Sequence, residues 1–162
     1  MQLEYFQLID RIVALDLAGR TIRTEARVPL ASSIFEGHFP GHPLMPGVLL
    51  IEAMAQTAGW LVIAAMRFER MPFLAAVKEA KLRTFVTPGQ LLALSADLVH
   101  DGSGYAVTAA RIAIDGKTVC NAEITFKVTE FPSPQFRATM EAWADRLEFP
   151  PEARPARAQQ HG

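Results

Sequence analysis

The sequence predicts an α+β fold on three observations. Residues 21–30, TIRTEARVPL, place Ile22, Ala26 and Val28 on one side and Arg23, Glu25 and Arg27 on the other, the period of a half-buried strand. Residues 48–68 are apolar nearly all round and long enough for one helix of roughly 30 Å at about 1.5 Å per residue. After Pro72 the chain changes to strand-like stretches divided by short glycine-bearing turns. A helix with no polar face needs cover on most of its surface, so a curved antiparallel sheet wrapped around it, helped by a second subunit, is the expected architecture.

Taken in order, residues 2–9 and 11–17 are short apolar pieces that fit either a helical turn or a strand. The strand at 21–30 runs into a loop at 31–47, dense in proline and glycine, and then into the long helix. FLAAVKEAKLRTFV (73–86) turns at TPGQ into LLALSADLVH (91–100), DGSG turns into YAVTAARIAID (105–115), and DGK turns into TVCNAEITFKVT (118–129). The last two connections are short enough to make the strands they join antiparallel neighbours. SPQFRATMEAWADRL (133–147) opens with Ser133 as an N-cap and Pro134 in the first turn, and Phe136, Met140, Trp143 and Leu147 recur at helical spacing. The expected organisation is a main domain over 1–131, an amphipathic helix over 132–147 packed on it, and a disordered tail over 148–162, where proline and charge leave few anchors.

The totals bound the function. The chain has 162 residues, 50% hydrophobic and 20% charged, enough for one domain with its own core. A net charge of −1 lacks the basic balance of a nucleic-acid binder, so an acidic partner has to be met by a local patch. The single cysteine, Cys120, allows no internal disulfide and fits a reducing, cytoplasmic setting. The N-terminus lacks the basic region and cleavage site of a signal peptide. The segment from Gly47 to Met66 has the length of a membrane span, but Glu52, Gln56 and Thr57 within it favour a core helix.

That lone carboxyl group is the strongest functional signal. Pro43, Pro46 and Gly47 mark the helix entrance, whose first amides lack intrahelical acceptors and carry the positive end of the macrodipole. They suit a carbonyl oxygen gaining negative charge. Glu52 lies little more than one turn inside, among Leu50, Ile51, Ala53 and Met54, surroundings that disfavour a bare charge and suit a proton donor. Gln56, one turn further along the same face, can hydrogen-bond it. His38, in the stiff loop before the helix, is a candidate proton acceptor. Taken alone, His38 reads more readily as a loop histidine bonded to backbone, and Glu52 equally well as a structural acid paired with an arginine. His38 and His42 lie in a proline-rich loop with no third ligand, so no metal is expected. Ser32 and Ser33 have no nucleophile-elbow context.

GHFPGHPLMPGVLLIEAMAQ (37–56) resembles the signature of the FabZ-type 3-hydroxyacyl-acyl carrier protein dehydratases, and the likeness continues through PFLAAVKEAKLRTFVTPGQLL and GKTVCNAEITF to about Val128. The resemblance implies the hotdog fold and removal of water from carrier-bound 3-hydroxyacyl chains in fatty acid or lipid A acyl synthesis. His38 matches the catalytic histidine and Glu52 the catalytic acid. Gly47, with Val48 behind it, matches the amide that binds the thioester carbonyl, and Gln56 matches the glutamine supporting the acid. It further implies a homodimer whose sites take histidine and acid from different protomers, with trimers of dimers common, and no cofactor beyond the substrate's own phosphopantetheine arm. Lys78, Lys81 and Arg83, with Arg67 and Arg70, are candidates for meeting the acidic carrier protein, the plainer reading being a solvated strand. Phe39, Leu44, Met45 and Met54 are candidates to line an acyl tunnel. The competing functions are another acyl-thioester enzyme, a thioesterase or enoyl-CoA hydratase, and a non-catalytic acyl-binding subunit.

Overall fold

The computed structural model describes residues 1–154. Six strands run in chain order as β1 (Arg11–Asp16), β2 (Thr21–Arg27), β3 (Met71–Leu82), β4 (Leu91–Gly102), β5 (Tyr105–Ile114) and β6 (Lys117–Thr129). The helices are α1 (Ser33–Gly37), α2 (Gly47–Ala65) and α3 (Pro134–Arg146), with single 3₁₀ turns at Leu3–Tyr5 and Pro151–Ala153. All neighbours in the sheet are antiparallel, in the order β1-β2-β4-β5-β6-β3. Pro72 is tolerated because β3 is an edge strand.

The hairpins follow from their turn residues. Gly102 pairs with Tyr105 across Ser103 and Gly104, and Ile114 pairs with Lys117 across Asp115 and Gly116. Both central residues of each turn have positive φ, the conformation a two-residue connection needs to follow the twist of its strands. Between β2 and β3 the chain crosses the whole sheet through α1 and α2, so α2 lies across the concave face and packs on β2, β3, β4, β5 and β6. Nearly every side chain from Leu49 to Ala64 is buried there, and each Leu, Val, Ile or Met contributes roughly 1.5–3 kcal/mol by leaving water. By length and composition α2 could cross a membrane, yet 67% of its most apolar window is buried inside the molecule, as in a core helix. Thr57, its fully buried polar side chain, donates to Ala53 O at 3.0 Å and shares a 2.8 Å hydrogen bond with Thr24 of β2. Cys120 is also fully buried, and burial pushes its thiol up to about 11 against the opposing pull of Arg83, which makes it a poor nucleophile.

The α+β expectation of a long helix wrapped by a curved antiparallel sheet, with a short C-terminal helix, matches this architecture. Three local expectations differ. The helix expected over 48–68 ends at Ala65, because Arg67 and Phe68 turn left-handed and carry the Phe68 ring back into the core. The loop expected over 31–47 contains α1, started by Ser32, whose hydroxyl accepts from Ile34 N at 3.1 Å. Of the tail expected to be disordered from 148, residues 155–162 lie outside the described residues, while 148–154 are packed. Phe149 is 4% exposed and sits against Trp60 and Phe68, with ring centroids 5.9 and 5.1 Å away. One aromatic anchor outweighs the polar composition around it.

Phe149→Ala is expected to cost about 3–5 kcal/mol of stability in denaturant unfolding, as for a large-to-small change in a packed core. An unchanged midpoint would show that this segment adds nothing to the core.

Candidate active site

The loop between α1 and α2 is held almost entirely by its own backbone. His38 N donates to Ile34 O at 3.0 Å, Leu44 N to His38 O at 2.9 Å, and Phe39 and His42 exchange hydrogen bonds of 3.1 and 2.9 Å. Met45 N donates to Val86 O at 2.8 Å, fastening the loop to the chain beyond β3. Within this frame the half-buried His38 ring stacks on Phe39, with centroids 4.3 Å apart, and its Nδ1 lies 3.0 Å from Leu44 O. A carbonyl oxygen only accepts, so in the neutral imidazole Nδ1 carries the hydrogen and Nε2 keeps its lone pair. The backbone has thereby selected the tautomer in which Nε2 can take a proton.

At the helix entrance Pro46 O accepts from Leu49 N and Leu50 N, while the N–H groups of Gly47 and Val48 have no acceptor within the helix. A Cβ added at Gly47 would stand 2.5 Å from Leu82 Cδ1, so glycine lets the entrance sit directly against the end of β3. Five residues further on, Glu52 accepts a 3.0 Å hydrogen bond from Gln56 Nε2. The Gln56 amide also donates to Phe6 O at 2.7 Å and accepts from Leu8 N at 3.1 Å, so the N-terminal segment and the Glu52 carboxyl hang on one side chain. Among the described residues no lysine or arginine lies within ion-pair distance of Glu52, so none of them makes the Glu–Arg pair of the structural-acid reading.

Glu52 and Gln56 line a cavity of about 430 Å³ between α2, the N-terminal segment, the β3/β6 edge and α3. The structure thus brings Glu52 and Gln56 together, and groups His38 with Gly47 only through the loop that joins them; His38 is not on the wall of the Glu52 cavity. Nor are the expected tunnel residues Phe39, Leu44, Met45 and Met54; Met45 and Met54 are core residues instead. Lys78, Lys81 and Arg83 are exposed along β3 and just past its end, where Leu82 meets Gly47, and Arg83 bonds Asn121. Arg67 and Arg70 follow the far end of α2, about 28 Å from Gly47 at about 1.5 Å per residue, and Arg70 lies 3.6 Å from Glu130. Among the described residues no three His, Cys, Asp or Glu side chains gather as a metal site would require.

Sequence reasoning missed the contributions that come from far along the chain. Ser32 and Ser33, set aside as nucleophiles, both bond Glu4: the Ser32 hydroxyl at 2.7 Å and Ser33 N at 3.0 Å. These bonds, Ser32's first, hold the Glu4 carboxyl below the ordinary carboxylate range and tie the N-terminal turn to α1. The cavity wall formed by α3 had one signal, the helical recurrence of Phe136, Met140, Trp143 and Leu147, but nothing in it named the surface it would face.

Comparison with known proteins agrees with this architecture. A family model described as a FabA-like domain matches residues 1–123. The 3-hydroxyacyl-[acyl-carrier-protein] dehydratase FabZ of Lactiplantibacillus plantarum is 37% identical over 121 residues, covering 74% of this chain and 82% of the relative. That of Chlamydia pneumoniae is 37% identical over 130 residues, covering 77% and 84%. Among solved structures, a conserved protein from Pseudomonas aeruginosa superposes with a TM-score of 0.61 at 22% identity, covering 77% of this chain and 90% of that one. A dehydratase heterocomplex from Xenorhabdus doucetiae gives a TM-score of 0.55 at 21% identity, covering 74% and 96%. At such low identity these structures speak for the fold, while the sequence relatives and the matched domain speak for descent: the chain belongs to the FabA-like family and, within it, to the FabZ-type dehydratases of the hotdog fold.

Proposed function

We propose that this protein removes water from 3-hydroxyacyl chains carried on acyl carrier protein, giving the trans-2-enoyl thioester. His38 Nε2 takes a proton from C2, and the negative charge that moves onto the thioester oxygen is met by the Gly47 N–H, with the Val48 N–H beside it. Glu52 gives its proton to the hydroxyl on C3, the C3–O bond breaks, water leaves, and the C2–C3 double bond forms. The observation that carries this reading is the Glu52 carboxyl, oriented by Gln56 at 3.0 Å on the wall of a largely apolar cavity, with no cation within ion-pair distance among the described residues.

Within one protomer His38 does not line the cavity that holds Glu52, and this supports a site completed by a second copy, the histidine of one protomer meeting the acid of its partner. The surface around the helix entrance supports the same reading. Val48 is 72% exposed, Phe85 77%, Phe39 52% and Leu82 50%, an apolar area that a partner would cover, and β3 offers a free edge to extend the sheet. The carrier protein is acidic in such systems, and Lys81 and Arg83 lie beside the entrance through which its phosphopantetheine arm would deliver the thioester, with Lys78 further up the strand. No cofactor takes part in this scheme. A cytoplasmic setting fits the single, buried cysteine.

His38→Ala and Glu52→Gln are each expected to lower the rate by about a hundredfold to ten-thousandfold with the fold kept, measured by mass spectrometry of the carrier-bound product. Water loss, thioester cleavage and mere binding give different masses, so full activity in either variant, or cleavage in place of dehydration, refutes the assignment. Co-refolding the two inactive variants in equal amounts is expected to restore about a quarter of the sites, those in mixed dimers that join an intact histidine to an intact acid. No recovery would mean that each site is built within one chain. Reversing the charge of Lys81 and Arg83 is expected to raise KM for the carrier-bound substrate with little change in kcat; an unaltered KM would leave them as solvated strand residues.

A further inference from the structure

α3 begins at Pro134, beyond residue 123 where the family match stops, so the wall it supplies lies outside the matched domain. Its sequence is amphipathic, yet Met140 and Ala144 are its only buried residues, and its backbone approaches α2 and the sheet at few points. The Phe136 ring lies 6.2 Å, centroid to centroid, from that of Phe73 in β3, and the backbone attachments are at the two ends. Ser133 caps one end by accepting from Phe136 N at 3.1 Å; at the other, Leu147 O accepts from Ile12 N at 2.8 Å and Phe149 enters the core. Between these attachments Phe136, Met140 and Trp143 face Gly59, Trp60 and Ile63 of α2 across the cavity that begins at Glu52. Of the polar side chains on that wall, Gln56 is bonded to the N-terminal backbone, Asp10 to the Met1 ammonium and to Arg27 N at 2.7 Å, and Arg146 lies over the Trp143 ring, 6.0 Å from its centroid. The partly buried apolar side chains of α3 leave dispersion contacts unmade on the cavity side, which a hydrocarbon occupant would supply.

We infer that this cavity is the chamber for the hydrocarbon tail of the acyl substrate and that Phe136, Met140 and Trp143 of α3 set how much chain it admits. The inference rests on the dehydratase reading for its connection to the reaction. The hydroxyl that Glu52 protonates is on C3, so the carbons beyond C3 start where Glu52 stands, at the edge of the chamber. The chamber then runs along α2 from Glu52 to Ile63, about 16 Å at about 1.5 Å per residue. Its length and its volume of about 430 Å³ suit a medium-length chain rather than a very short one.

The chamber can be narrowed or widened from opposite walls. A Cβ at Gly59 would make only ordinary contacts, 3.9 Å to Phe126 and 4.0 Å to Pro72, so Gly59→Leu enters the space without strain at its base. Across a ladder of 3-hydroxyacyl-carrier thioesters, Gly59→Leu is expected to lower kcat/KM for the longest chains relative to the shortest by about tenfold to a hundredfold. That is the burial of two or three methylenes at about fourfold each. Trp143→Ala is expected to shift the preferred length upward. Length profiles unmoved in both folded variants would overturn the chamber. A second arm does not depend on catalysis. Both tryptophans of the chain, Trp60 and Trp143, line the cavity, so dodecanoyl pantetheine, which has no hydroxyl to lose, is expected to perturb their emission, and less so in Gly59→Leu. A protein that binds this probe but dehydrates nothing refutes the proposed function and keeps the chamber. One that dehydrates short chains without any emission response or length shift refutes the chamber and keeps the function.

Discussion

A helix that is apolar around its whole circumference cannot be covered by one sheet, and the rest of the molecule is arranged around that constraint. The curved sheet takes most of α2, and buried side chains from Leu49 to Ala64 meet β2 through β6. The strip from Glu52 through Gln56, Gly59 and Trp60 to Ile63 faces a cavity that the N-terminal segment and α3 close together with the β3/β6 edge. The carboxyl group of the chain's greasiest helix stands on this seam. There its charge is neither sealed in the core, which would cost several kcal/mol, nor dispersed in bulk water.

Much of the fold was legible because its signals are local. The alternation of β2, the two-residue turns at Ser103–Gly104 and Asp115–Gly116, and the Ser133–Pro134 start of α3 are each contained within a few residues. The departures are places where a distant contact decides. Nothing near Arg67 and Phe68 announces two left-handed residues; the pull on the Phe68 ring comes from Trp60 and Phe149. α1 was hidden because the glycine and proline density of 31–47 masks one short capped turn. Phe149 was overlooked because a single anchor has no period to detect.

The candidate site divides along the same line. His38, Gly47, Glu52 and Gln56 lie within nineteen consecutive positions, so residue type and spacing made them candidates, and the resemblance to the FabZ-type dehydratases assigned the expected roles. What binds to Gln56 could not, since Phe6 and Leu8 are almost fifty residues earlier and sit in a segment whose pattern fits no single element. The space beside Glu52 was equally invisible, because its walls come from both ends of the chain. Residues that looked like tunnel lining from their neighbourhood in sequence, Met45 and Met54, are buried in the core, where volume is filled by packing.

The Gln56 side chain uses both halves of its amide, the oxygen toward Leu8 and the nitrogen toward Phe6 and Glu52. A carboxamide neither gains nor loses a proton in water, unlike the carboxyl group beside it. The bracket that aims Glu52 therefore keeps its shape in either protonation state of that carboxyl and across changes in ambient acidity. An ionisable side chain in its place would loosen its hold on the N-terminal backbone with each change of charge.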